Sequence, residues 1–260
     1  MNNIKDTNGN SPYVPTGNAP YDETNPTGRA PVNPFTALVT MFYEPTRTFE
    51  ALEPKKQAWL PVIMVIACMT AVTLWYFSAV DAAWFVEQMF SAMKPKEREA
   101  AAQMLNANTM KISMIGGQLI GTPIVLCITG LYFLIAGKIA KRPMSFGTGF
   151  SLTAWAMVPT LLLLPLAAIQ ILMSTSPQFE YSALNMLSLN QLLFQYPMSN
   201  PLASLLDSIS IVSVWNAVLL VIGFQVWAKA PLATAIKVVL IPYVVVYGIW
   251  IAFALNQAAA

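Results

Sequence analysis

The chain has 260 residues, 56% of them apolar and 10% charged, with a net charge of +2 and no histidine. Soluble domains carry about 25% charged residues, so this balance excludes an ordinary soluble domain, and so small a net charge argues against nucleic-acid binding. The lack of histidine removes the usual metal ligand and the side chain that shuttles protons near neutral pH, so neither a metal site nor a cofactor is expected.

Residues 1–32 are rich in Asn, Pro, Gly and Thr, with prolines at Pro12, Pro15, Pro20, Pro26 and Pro31. Such a stretch buries too little apolar surface to offset its ordering entropy. It reads as a disordered arm with polyproline character, either a plain linker or a docking peptide. It has neither the positive start nor the apolar run of a secretory signal. The segment 33–56 reads as ordered. Asn33 suits an N-cap and Pro34 a first helical position, and Phe35, Leu38, Val39 and Phe42 share one helical face. Glu44-Pro45 breaks that helix, and a second short turn carries Phe49 and Leu52. The segment is too short to span a membrane. It is expected to lie amphipathically in the headgroup region or to pack against the end of the bundle.

Five apolar runs follow, over 59–77, 112–136, 150–172, 208–227 and 236–255, within a membrane domain 57–257. Each is long enough for about 30 Å of hydrocarbon, and only helices satisfy their own backbone groups there. The fold class is therefore all-α: a polytopic bundle of five transmembrane helices with interfacial amphipathic helices and a disordered arm. Ten Lys and Arg fall before span one, between spans two and three and between spans four and five, against four between spans one and two. The positive-inside rule then puts the N-terminus in the cytoplasm and the C-terminus outside. The stretches 96–108 and 182–194 have helical patterns and are expected to lie as caps near the outer surface.

No acidic residue falls mid-span. Asp207 stands where it can N-cap span four, and Asp81 falls at the outer interface. Gln118, Thr122, Asn216 and Gln225 are the polar residues of the spans, read chiefly as interhelical hydrogen-bonding groups. Gly117 and Gly121 form a GxxxG pattern that permits close helix approach, within the bundle or against a partner. Pro123, Pro159, Pro165 and Pro242 interrupt spans and kink them. Cys68 and Cys127 read as small buried hydrophobes. No nucleotide-binding loop, nucleophile elbow or metalloprotease motif is present, so no catalytic residue is assigned.

Two stretches carry a family resemblance. One is Asn33-Pro-Phe-Thr-Ala-Leu38 followed by Phe42-Tyr-Glu-Pro-Thr-Arg-Thr-Phe-Glu-Ala-Leu52. The other is Asp207-Ser-Ile-Ser-Ile-Val-Ser-Val-Trp-Asn216, continuing to Ile222-Gly-Phe224. Together they resemble the bacterial branch of the Yip family (Ypt/Rab-interacting proteins), with Pro45, Phe49, Asp207, Trp215 and Gly223 at matching places. The resemblance implies a five-helix membrane domain with a cytoplasmic N-terminus. The Asp-Leu-Tyr-Gly-Pro motif of eukaryotic members is absent, so Rab binding does not carry over. Some bacterial relatives accompany ABC exporters of the macrolide-exporter type. The expected function is that of a non-enzymatic accessory protein of a bacterial inner membrane, docked on a larger membrane complex such as an ABC exporter. A small transporter or channel is the alternative. The candidate packing and partner residues are Pro45, Phe49, Gly117, Gly121, Asp207, Trp215, Asn216 and Gly223.

Overall fold

The computed structural model describes residues 33–52, 58–91 and 106–258, with positions 93, 96, 98 and 101 between them. The arm over 1–32 and most of the helix expected over 96–108 lie outside the described residues. Pro31–Ala260 forms one compact unit.

The pre-span segment makes two short helices, α1 (Pro34–Thr40) and α2 (Pro45–Ala51), each with proline in its first turn. The Asn33 carboxamide oxygen accepts the Phe35 N–H at 2.9 Å and caps α1. The Thr48 hydroxyl joins the two helices by meeting the Thr40 hydroxyl at 2.8 Å. The first long helix is α3 (Trp59–Ala79), followed by the short α4 (Ala82–Ser91). Asp81 caps α4, accepting from the backbone N–H groups of Ala83 and Trp84.

The second span is α5 (Ala107–Ile139), capped by Asn106. The third is interrupted. It runs as α6 (Phe146–Ala156), a 3₁₀ turn over Val158–Leu162 and α7 (Leu163–Met173). Pro159 and Pro165 explain the interruption, since neither offers an N–H to the ladder. After two short turns comes α8 (Ala203–Ser208), then α9 (Ile211–Trp227) and α10 (Leu232–Ala258). Trp59–Ala79, Ala107–Ile139, Phe146–Met173 and Leu232–Asn256 are long and apolar enough to cross a membrane, and α9 is a shorter apolar helix of 17 residues. The protein is thus an all-α membrane bundle. Among the described residues no strand forms, only an isolated bridge between Ser188 and Ser210.

Two expectations are corrected here. The stretch 182–194 is not one amphipathic helix but a 3₁₀ turn over Tyr181–Leu184 and a π turn over Asn190–Phe194. Leu189 N–H donates to the Ile209 carbonyl and Ile211 N–H to the Leu187 carbonyl, so backbone pairing to the start of α9 competes with helix there. Asp207 does not cap span four. Ile209 is extended and Ser210 takes the cap, its side chain and that of Ser213 exchanging reciprocal bonds with each other's backbone. Serine does so because its hydroxyl reaches the N3 amide at the correct offset.

Close helix approach also falls elsewhere than expected. A Cβ on Gly117 or Gly121 would meet nothing within 4 Å, so the GxxxG pattern faces open space. The tight crossing is between α5 and α6. A Cβ on Gly149 would stand 2.9 Å from the Gly130 carbonyl oxygen and 2.9 Å from Phe133 Cβ. Backbone cannot yield as a side-chain tip can. Gly149→Leu is therefore expected to cost about 1–3 kcal/mol, the usual range for overpacking, and to lower the thermal unfolding midpoint in detergent. Gly117→Leu should leave that midpoint unchanged.

Candidate functional site: a latched segment and a lateral cleft

The two resembling stretches meet at one point. Helix α2 packs on the C-terminal half of α9. Phe49 is fully buried there, in a cluster with Leu38, Met41, Leu152, Trp155 and Phe224. Gly223 makes room for it. A Cβ at 223 would stand 2.8 Å from two Phe49 ring carbons and 2.3 Å from Leu152 Cδ1. The Trp227 indole sits edge-on to the Phe49 ring, with centroids 5.2 Å apart. Its Nε1–H donates to the Phe49 carbonyl at 2.7 Å. That carbonyl lies near the end of α2, where helix acceptors lack intrahelical donors. Phe49 is therefore not a headgroup anchor. The contact is the alternative of packing against the bundle end. Pro45 supplies the turn that starts α2, and Trp215 packs half-buried against the same cluster. Trp227 and Leu152 were not singled out from sequence. Trp227, four residues past Gly223 on one helix face, was the legible signal.

Asn216 works at the break in span three. Its amide, oriented to satisfy every neighbour, donates to the Ala156 carbonyl at 3.0 Å and the Val212 carbonyl at 3.3 Å. Ala156 ends α6, and its carbonyl is left over because the Thr160 N–H turns to Met157 instead. The Thr160 hydroxyl faces the other end of the amide at 3.3 Å. Gln118 lies elsewhere, its Nε2 donating to the Thr73 hydroxyl at 2.8 Å, and Gln225 is exposed. Cys68 is buried and free, directed at the Leu161 carbonyl where the third span breaks. Cys127 is exposed on α5, contrary to expectation.

At the end opposite the latch, Asp207 borders a cavity of about 400 Å³ with Tyr181, Asn185 and Ser204. The Ser188 hydroxyl donates to its carboxylate at 3.3 Å. Burial raises the Asp207 carboxyl above its ordinary value of 3.8, opposed by hydrogen bonds from Asn190 and Ser188 and reinforced by the charge of Glu180.

A second cavity, of about 490 Å³, lies between α5 and α10 on a floor of α6 and α9. Its walls include Val125, Ile128, Tyr132, Tyr243, Val246 and Trp250. Val125, Ile128 and Val246 are 52%, 62% and 56% exposed, so the cleft opens sideways toward the hydrocarbon. Helices α5 and α10 do not pack along their length. The Tyr132 hydroxyl bridges them by donating to the Val238 carbonyl, which Pro242, four residues on, leaves without its helical donor.

A family model for the Yip1 domain matches residues 39–253, from the end of α1 nearly to the end of α10. The chain belongs to the Yip family. No curated protein and no solved structure matches it. The matched region contains α2 as well as all five apolar helices, so the latch lies inside the matched span rather than before it. Among the described residues, no group of three or more Cys, Asp or Glu gathers as a metal site would.

Loss of the Phe49 ring should open the latch. Truncating a buried phenylalanine costs about 3–5 kcal/mol. A cysteine placed at the buried Ala37 of α1, in a chain with Cys68 and Cys127 replaced by alanine, should be labelled slowly. Adding Phe49→Ala should speed labelling by about tenfold or more, since ~1.4 kcal/mol of opening is a factor of ten. For Asp207 the folded protein favours the protonated form. Its contribution to stability is then full below the ordinary carboxyl value and is lost as pH rises through the folded value. Asp207→Asn should flatten that acid-side slope of stability in detergent unfolding, and leave the protein no less stable at neutral pH.

Proposed function

We propose that this Yip-family protein is a non-enzymatic accessory component of a bacterial cytoplasmic membrane that docks on a larger membrane assembly. An ABC exporter of the macrolide-exporter type is the partner class that the resemblance suggests. In this reading the N-terminus is cytoplasmic, the C-terminus outside, and the arm over 1–32 is a tether. The observation that carries the proposal is the exposed side of α1. Phe35 and Val39 of α1 and Tyr43 of the turn after it are 65%, 61% and 65% exposed at a spacing of four, while Ala37, Leu38 and Met41 are buried, so Leu38 does not share the face of Phe35 and Val39 that its spacing predicts. The latch holds this aromatic ridge on a rigid platform, and preorganised apolar anchors are what a docking surface needs.

A transport pathway through the chain itself draws no support from the span polar residues. Gln118 bonds Thr73, Asn216 bonds the broken third span, and Gln225 is exposed on the surface. Two are separate packing contacts and the third lies on the surface, so they line no single polar route. The test is photocrosslinking from position 39 in native membranes. A discrete adduct to a larger membrane protein, lost in Phe35→Ser/Tyr43→Ser, is the expected outcome. Crosslinks to lipid alone would contradict docking.

A further inference from the structure

The lateral cleft has a shape and a charge setting that together name an occupant. We propose that it binds an anionic phospholipid, with an acyl chain against Tyr132, Tyr243 and Val246 and the phosphate near Lys138, Lys141 and Lys237.

The apolar part comes first. The cleft measures about 490 Å³ and lies within the range of formed ligand sites, about 300–1,000 Å³. Its lining is almost wholly hydrocarbon and aromatic ring, a surface that stays dry unless polar partners hold water. It opens toward the bilayer through the exposed Val125, Ile128 and Val246. What reaches such a cleft is a lipid tail or a neighbouring helix. A helix is about 10–12 Å across with its side chains and must run the full thickness of the membrane. The Tyr132–Val238 bridge crosses the gap between the two walls and stands in its way. A flexible chain slips past a bridge and ends where it likes.

Charge then selects the lipid. Lys237 precedes Val238, the acceptor of the bridge. Lys138 lies six residues beyond Tyr132, about 9 Å of helix rise toward the same end. Lys141 follows in the turn after α5, held with a φ of 56°. All three lysines are exposed, and Arg142 beside them is half-buried. Among the described residues no carboxylate pairs with any of the four. Neither α5 nor α10 contains an acidic residue. Among the described residues of the pre-span segment the acids are Glu44, paired with Arg47 at 3.0 Å, and Glu50 of α2. Basic clusters at the mouth of a gap between membrane helices bind anionic headgroups, each near-surface charge adding about 1 kcal/mol. The lysine stems can lie along the apolar walls while their ammonium groups reach the phosphate level.

The test uses the intact chain in mild detergent, given phosphatidylglycerol or phosphatidylcholine with identical acyl chains, and counts retained lipid by native mass spectrometry. One phosphatidylglycerol should be retained about tenfold or more in preference to phosphatidylcholine. Lys138→Gln/Lys141→Gln/Lys237→Gln should abolish the preference, and Val246→Trp should reduce retention of both lipids by filling the cleft. Val246 faces outward, so that variant keeps the core, and far-ultraviolet dichroism confirms that each variant is folded. Equal retention of the two lipids, a graded series with no preferred stoichiometry, or undiminished binding in Val246→Trp would overturn the proposal.

Discussion

At the end of the bundle where the lysines cluster, the ring of Phe49 rests on a backbone that has no side chain. Gly223 leaves that space, Leu152 closes it from the third span, and Trp227 clamps it with an indole edge and an N–H bond to the Phe49 carbonyl. Burying such a ring contributes about 1.5–3 kcal/mol, and an edge-on aromatic pair adds about 0.5–1.5 kcal/mol. More follows than stability. The contact makes α1 and α2 part of the bundle and gives the exposed face of α1 a firm base. Without it the pre-span segment would be a surface helix pair free to lie wherever lipid allowed.

The spans themselves depend on a second constraint, the duty of every backbone group to find a partner in hydrocarbon. Four prolines withhold N–H groups from the ladders, and side chains of other helices face carbonyls at or beside the interruptions. Cys68 faces the Leu161 carbonyl beside the break in the third span, and Tyr132 donates to the Val238 carbonyl freed by Pro242. Asn216 serves the Ala156 carbonyl where the third span breaks. Of the polar span residues, Asn216 is matched to an interruption, whereas Gln118 makes an ordinary interhelical bond to Thr73. The Tyr132 bond also props two helices that otherwise do not pack, and so keeps the lateral cleft between them.

Five apolar runs and their helical state were legible because composition and length decide them in a membrane. The latch was half legible. Pro45, Phe49 and Gly223 drew notice through their resemblance to a family pattern, but their mutual contact spans more than 170 positions and no local periodicity encodes it. The GxxxG pattern marks no crossing within the bundle, because a small-residue stripe shows that backbones can approach, not that they do. The crossing uses Gly130 and Gly149, one on each helix, a pairing invisible until the hairpin is folded. Asp207 misled for a different reason. A cap is chosen by where the backbone turns extended, and Ile209 moves that point past the aspartate to Ser210. The cleft could not be read at all, since it is a property of two helices that fail to meet.

Through the Phe49 contact, α2 and α9 form one energetic unit. A double-mutant cycle between Phe49→Leu and Trp227→Leu, followed by reversible unfolding in mixed micelles, tests it most directly. Contact in one network predicts a coupling free energy of about 1 kcal/mol or more. Losses that simply add, to within about 0.3 kcal/mol, would contradict it.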